Sequence, residues 1–208
     1  MDNESTGSSL NISSMEMLSL GGFGLLFAWM FICFYWLFCE FPPDVPTSVR
    51  DFSQLFVFVA VPLGYLLIHF RAKDPNYNLF AMPMKVVASV LAVLQPIVAL
   101  IMYQGVMIPL PVVCVVNFCT GLAAASIKLA WLDVCSRLGT GGYARFTGLS
   151  LFLGGLLFAL VAFTPTVMQP IFAIVFIAGS FGLLSYSTRH ALGNDERAPL
   201  ESVADTWR

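Results

Sequence analysis

The chain has 208 residues, 58% of them hydrophobic and 11% charged, with 19 Phe and a mean hydropathy of +0.83. Soluble domains carry about 45–50% apolar and about 25% charged residues, so an ordinary soluble enzyme, a disordered tail and a nucleic-acid-binding module are excluded. The composition predicts an all-α, polytopic membrane helical bundle in contact with a lipid bilayer. The net charge of −2 and pI near 5.6 describe its loops and tails.

A polar, acidic tail (1–17) without Lys or Arg comes first. It lacks the basic start of a secretory signal, so the first helix is expected to stay attached. A spanning helix takes about 20 mostly apolar residues, and six stretches answer: Leu18 to Cys39, Phe52 to Phe70, Val86 to Tyr103, Met107 to Ile127, Phe146 to Phe163 and Val167 to Tyr186. The breaks are turn formers: Pro42-Pro43-Asp44, Asp74-Pro75-Asn76, Gln104-Gly105, Gly139-Thr140-Gly141-Gly142 and Thr164-Pro165-Thr166,. Backbone groups in lipid must be satisfied within the segment, so these runs are helices. The tight third-to-fourth and fifth-to-sixth connections predict antiparallel hairpins. The six-helix transmembrane domain is thus placed at 18–187, with a second polar tail at 188–208.

Counting Lys and Arg by loop sets the expected orientation. Six crossings put Arg71, Lys73, Lys85, Lys128, Arg137, Arg145, Arg189, Arg197 and Arg208 on one side, and Arg50 on the other. The bias predicts cytoplasmic N- and C-termini. Both Asn-x-Ser matches, at Asn3 and Asn11, then fall in a cytoplasmic tail, where the glycosylation pattern has no use.

No motif for a reaction occurs: there is no Walker loop, no GxGxxG after a strand, no HExxH and no GxSxG. His69 and His190 sit at helix ends, where an interfacial position accounts for them. Cys33, Cys39, Cys114, Cys119 and Cys135 form no metal-binding spacing,. An enzyme is not expected, nor a metal or a cofactor. Polar groups at membrane depth carry more weight, because leaving one unbonded in lipid costs several kcal/mol. Gln95 and Asn117 lie near the middle of the third and fourth helices, with Pro96 set to kink the third. They either hydrogen-bond a ligand, with Tyr65 and Trp29 beside them, or bond a neighbouring helix. The aromatics of the first helix, Phe27, Trp29, Phe31, Phe34, Tyr35, Trp36 and Phe38, can stack on a ligand. Lipid-facing packing with an interfacial belt at Tyr35 and Trp36 is the favoured expectation.

Small residues four apart (Gly121/Ala125, Ser150/Gly154, Gly155/Ala159 and Ala178/Gly182) predict close helix packing. Charges gather at the cytoplasmic face. Arg71 and Lys73 in the second-to-third connection, with Asp133 and Arg137 at i,i+4 after the fourth helix, read as anchoring or as a charged switch.

Six helices, both ends inside, and basic second-to-third and fourth-to-fifth connections resemble one half of a major facilitator transporter, in which two such halves enclose a midplane site. The loop Gly64-Tyr65-Leu66-Leu67-Ile68-His69-Phe70-Arg71-Ala72-Lys73-Asp74 keeps a Gly and basic residues of that family's second-to-third signature, but not its ordered Asp-Arg-x-Gly. Gly22-Phe23-Gly24-Leu25-Leu26-Phe27-Ala28-Trp29 and Trp131-Leu132-Asp133-Val134-Cys135-Ser136-Arg137-Leu138 resemble the membrane sensor portion of LuxR-type transcriptional regulators, over roughly 18–187. This second resemblance implies a sensing bundle in a bacterial cytoplasmic membrane. Such sensors have about twelve helices and a helix-turn-helix. The resemblance therefore implies an N-terminal half, a truncated form, or a half-size relative that forms a homodimer. The chain itself is expected to bind no nucleic acid. Its expected ligand is small and neutral or hydrophobic. The rival readings are a half-size transporter acting as a dimer and a structural membrane protein without a ligand.

Overall fold

The computed structural model describes residues 14–35, 47–71, 82–137 and 143–192, and among them every regular element is helical. The helices are α1 (Ser14–Tyr35), α2 (Thr47–Arg71), α3 (Met82–Tyr103), α4 (Leu110–Arg137), α5 (Tyr143–Ala162) and α6 (Gln169–Leu192). Five are long and apolar enough to cross a membrane. In α5 the apolar stretch is Phe146–Ala162, about 26 Å of helix, at the short end of what spans a bilayer core. The helices run past the domain bounds expected at 18 and 187.

Local chemistry sets the turns. Gly105 ends α3 at φ +83°, a backbone conformation that glycine adopts without a Cβ clash. The Pro109 carbonyl then accepts from Val112 N (2.9 Å) and Val113 N (3.3 Å) to start α4. After α5, Thr164 N and Oγ1 both donate to Val161 O. A 3-10 turn, Thr166–Met168, then leads into α6. Pro62 and Pro96 lie inside α2 and α3, which neighbouring helices make tolerable in a bundle.

Two helices form the centre. In α1 and α4, 61% and 56% of the spanning windows are buried, against 28–33% in those of α2, α3 and α6. The core runs through Phe23, Leu26, Trp29, Ile127, Trp131 and Val134, with the Phe23 and Trp131 rings stacked at 6.2 Å. The favoured lipid-facing arrangement of the α1 aromatics is therefore corrected. Phe27, Trp29 and Phe34 are buried and Phe31 is half-buried, because α4, α5 and α6 surround α1. Trp36 and Phe38, and the side chain of Tyr35, lie outside the described residues.

The helix pairing repeats itself. α2 packs on α4 as α5 packs on α1; α3 packs on α4 as α6 packs on α1; and α1 meets α4 while α3 meets α6. Exchanging α1–α3 for α4–α6 leaves this pattern in place. A shift of 97 residues takes Leu20 to Asn117, Gly24 to Gly121, Ala28 to Ala125, Ser53 to Ser150 and Val57 to Gly154. These residues form the two matching interfaces. A Cβ on Gly121 would lie 2.6 Å from Val57 O and 2.6 Å from Ala60 Cβ. One on Gly154 would lie 2.9 Å from Gly24 O and 2.5 Å from Phe27 Cβ. In the third helix of each half, a shift of 85 takes the buried Ala88, Ala92, Gln95 and Ala99 to the buried Ala173, Ile177, Ser180 and Leu184. Three spanning helices separate each residue from its counterpart in direction, so the repeat is inverted. The fifth-to-sixth connection is as tight as expected, yet α5 and α6 touch only marginally, because each packs on α1.

Candidate functional site

The described basic side chains mark one end of the bundle. Arg71 closes α2, Lys85 lies in the first turn of α3, Lys128 in the C-terminal part of α4, and Arg189 near the end of α6. Gln95 and Asn117 lie toward the opposite end. Measured along the α3–α4 hairpin they sit at similar depth, roughly 10–12 Å from the turn at 1.5 Å per residue.

Gln95 is 3% exposed and its Nε2 donates to Cys33 O of α1 at 2.9 Å. Asn117 is fully buried and its Nδ2 donates to Ser53 O of α2 at 3.1 Å. Both amides thus tie helices together through their nitrogens. The oxygens, Gln95 Oε1 and Asn117 Oδ1, have no hydrogen-bond partner among the described residues. Trp29 is also fully buried, with Nε1 unbonded. It stands one helical turn before Cys33, on the face of α1 that Gln95 reaches. The Gln95–Cys33 bond is the link from α3 to this face of α1. Asn117 belongs to another: with Gly121 and Ala125 it forms the α4 face against α2. Tyr65 is half-buried on α2, next to Gly64, where a Cβ would stand 2.7 Å from Ala125 Cβ of α4. The four expected ligand residues are thus not brought together: Gln95 bonds α1, Trp29 lies in the core, and Asn117 and Tyr65 belong to the α2–α4 pair.

The counterparts of these residues in the inverted repeat are satisfied. Asn117 corresponds to Leu20, whose carbonyl accepts from Ser150 Oγ at 3.3 Å. This is the Asn117–Ser53 link with donor and acceptor helices exchanged. Gln95 corresponds to Ser180, whose Oγ accepts from Trp131 Nε1 at 3.0 Å. Trp29 corresponds to Ser126, whose Oγ donates to Leu122 O at 2.9 Å. Sequence reasoning missed the Ser150, Trp131–Ser180 and Ser19–Ser187 (3.2 Å) links. The shift of 97 was the signal that could have found the first.

Of the expected switch residues, Arg71 is exposed at the end of α2 and Asp133 is buried in α4, where it makes an interaction of its own. Lys73 and the Arg137 side chain lie outside the described residues. The α4 backbone does stay helical through Arg137, which realises the i,i+4 spacing. Two of the four small-residue pairs lie at helix interfaces: Gly121/Ala125 against α2, and Ser150/Gly154 against α1. Gly155 and Gly182 face open space. Cys33, Cys114 and Cys135 are buried and Cys119 is half-buried, all as free thiols. No cluster among the described residues could hold a metal ion. Comparison of the chain with protein-family models, with curated proteins and with solved structures gives no match.

Proposed function

We propose that this chain is a facilitator-like six-helix half that senses a small neutral or hydrophobic ligand, as the resemblance to the membrane portion of LuxR-type regulators implies. Its setting is a bacterial cytoplasmic membrane with both termini cytoplasmic. One observation carries the reading. Among the described residues, the buried polar atoms Trp29 Nε1, Gln95 Oε1 and Asn117 Oδ1 stand unbonded at positions whose repeat counterparts leave nothing unbonded. Asn117 lies where the two halves meet, the place of the ligand site in inverted-repeat bundles, while Gln95 and Trp29 lie within the first half; unbonded groups at membrane depth mark function when packing does not need them. A ligand with a hydroxyl or amide on an apolar body would give Gln95 Oε1 the donor, or Trp29 Nε1 the acceptor, that each lacks among the described residues. The described charges stay toward helix ends, which favours an uncharged ligand and binding without proton coupling. Binding would act by its differential affinity for two packings of the bundle, read out at Arg71, Lys73, Asp133 and Arg137.

The test is thermal unfolding of the purified protein with a series of n-alkanols and N-alkylamides. A ligand at a hundred times its Kd adds about 2.7 kcal/mol, a clear rise in Tm. The expected result is a saturable rise that Gln95→Leu abolishes while the ligand-free protein stays folded. A flat response across the series, or one indifferent to both Gln95→Leu and Asn117→Leu, overturns the site. Counterflow uptake in vesicles separates sensing from the rival reading of transport by a homodimer.

A further inference from the structure

We propose that the bundle opens at the end away from its basic residues, by parting α3 from α1 at the Gln95–Cys33 bond, while the opposite end stays closed at Trp131–Ser180. α2 and α3 pack chiefly on α4, and α5 and α6 chiefly on α1, so the molecule divides into two three-helix bodies. A side-chain hydrogen bond crosses between the bodies near each end, and the repeat relates the two. Gln95 Nε2 of α3 donates to Cys33 O of α1, and Trp131 Nε1 of α4 donates to Ser180 Oγ of α6. The shift of 85 takes Gln95 to Ser180, and the shift of 97 takes Phe34, beside Cys33, to Trp131. Cys33 stands near the C-terminal end of α1 and Trp131 near that of α4, so the bonds brace opposite ends.

The two braces differ in what they leave buried. At the basic end Trp131 Nε1, the one polar atom of its side chain, is bonded. Its ring stacks on Phe23 at 6.2 Å and covers Gly22, where a Cβ would overlap it. At the other end Gln95 Oε1 is buried with no partner among the described residues, and so is Trp29 Nε1, one helical turn before Cys33,. A buried acceptor without a partner costs more than a neutral hydrogen bond returns, because that bond only replaces bonds to water. Closing this end therefore gains the Gln95–Cys33 bond but loses the hydration of an amide oxygen, which water entering between α1 and α3 restores. Apart from this bond α1 and α3 touch at most marginally, so little apolar packing opposes the separation. The backbone is weakened at the same point. Pro96 follows Gln95 inside α3 and removes the donor to the Ala92 carbonyl, which lets a helix bend. Its counterpart, Phe181 of α6, keeps the backbone N–H that Pro96 lacks. Opening needs no ligand, so the inference stands apart from the ligand reading of the same residues.

Two native thiols report on the two ends. Cys33 and Cys135 are 4% and 1% exposed, each near the C-terminal end of its helix. N-ethylmaleimide adds to a thiol as its thiolate, which forms where water reaches. Its rate at each cysteine of the purified protein, read by peptide mass spectrometry, therefore measures opening at that end. The expected result is alkylation of Cys33 about ten-fold faster than of Cys135. Gln95→Leu removes the unbonded oxygen together with the bond, and is expected to slow Cys33 about ten-fold while Cys135 is unchanged. Equal rates at the two thiols, whether fast or immeasurably slow, overturn the proposal, as does faster reaction at Cys135. So does a Cys33 rate that Gln95→Leu leaves unchanged or raises. The comparison of the two thiols in the unaltered protein is decisive even if Gln95→Leu does not fold.

Discussion

Replacing Gly121 by alanine tests the α2–α4 interface at its tightest point. The new Cβ would stand 2.6 Å from Val57 O, 2.6 Å from Ala60 Cβ and 3.3 Å from Val57 C. Carbon contacts are most favourable near 3.5–4.0 Å, so α2 and α4 must part by about 1 Å. Two of the three close atoms belong to the Val57 backbone and cannot rotate away. Overpacking of this kind costs about 1–3 kcal/mol. The same substitution gains about 1 kcal/mol in helix propensity, which would mask part of the loss. Gly155→Ala supplies the control, because nothing lies within 4 Å of its Cβ position and only the propensity gain applies. The difference between the two variants therefore isolates the steric cost, expected at about 1–3 kcal/mol against Gly121→Ala. Unfolding in mixed micelles of rising SDS fraction, followed by far-UV circular dichroism, measures both. Equal stability of Gly121→Ala and Gly155→Ala would refute the register of α2 on α4 and, with it, half of the inverted repeat.

Two more outcomes follow from the same packing. Gly154→Ala should lose stability by a similar amount in the same assay, since its Cβ would meet Phe27 Cβ at 2.5 Å, Gly24 O at 2.9 Å and Ala28 N at 3.0 Å; a neutral result would separate the two interfaces that the repeat makes equivalent. Trp131→Phe and Ser180→Ala should each cost more than their lost surface alone, by about 0.6–1.7 kcal/mol for the interhelical bond. The double variant should cost less than the two together, and strict additivity would mean that the 3.0 Å bond contributes nothing.

The helices themselves were legible, because an apolar run closed by Pro, Gly or Asp has few alternatives in lipid. Their ends were less so. Lys128 marks an apparent end to the fourth run after Ile127, yet α4 continues to Arg137 because Trp131, Val134 and Cys135 return to the core. A lysine next to the core can reach the interface with its long stem, so a single charge is a poor stop signal. Which helix packs on which was not legible. The tight turn at Pro165 suggests an α5–α6 pair, but small residues at Gly24, Ala28 and Gly154 bring α1 against α5 instead. The repeat is written faintly, in Gly24-Leu25 and Ala28 against Gly121-Leu122 and Ala125, and in Ser53 against Ser150. Elsewhere the halves share only side-chain size and burial. Gln95 and Asn117 stood out as polar groups in apolar helices, but their division between two interfaces depends on helix rotation, which single residues do not reveal.

An inverted repeat also bears on how the chain is threaded into its membrane. The two three-helix units pair their helices in the same pattern while pointing in opposite directions, so that pattern holds no preference for one insertion over its mirror across the bilayer. The translocation machinery must take that decision from the flanking charges alone. In this chain they are lopsided, with Arg71, Lys85, Lys128 and Arg189 gathered at one end and Arg50, in the first turn of α2, at the other. By the positive-inside rule a handful of Lys and Arg residues is expected to set which compartment each face of the protein meets.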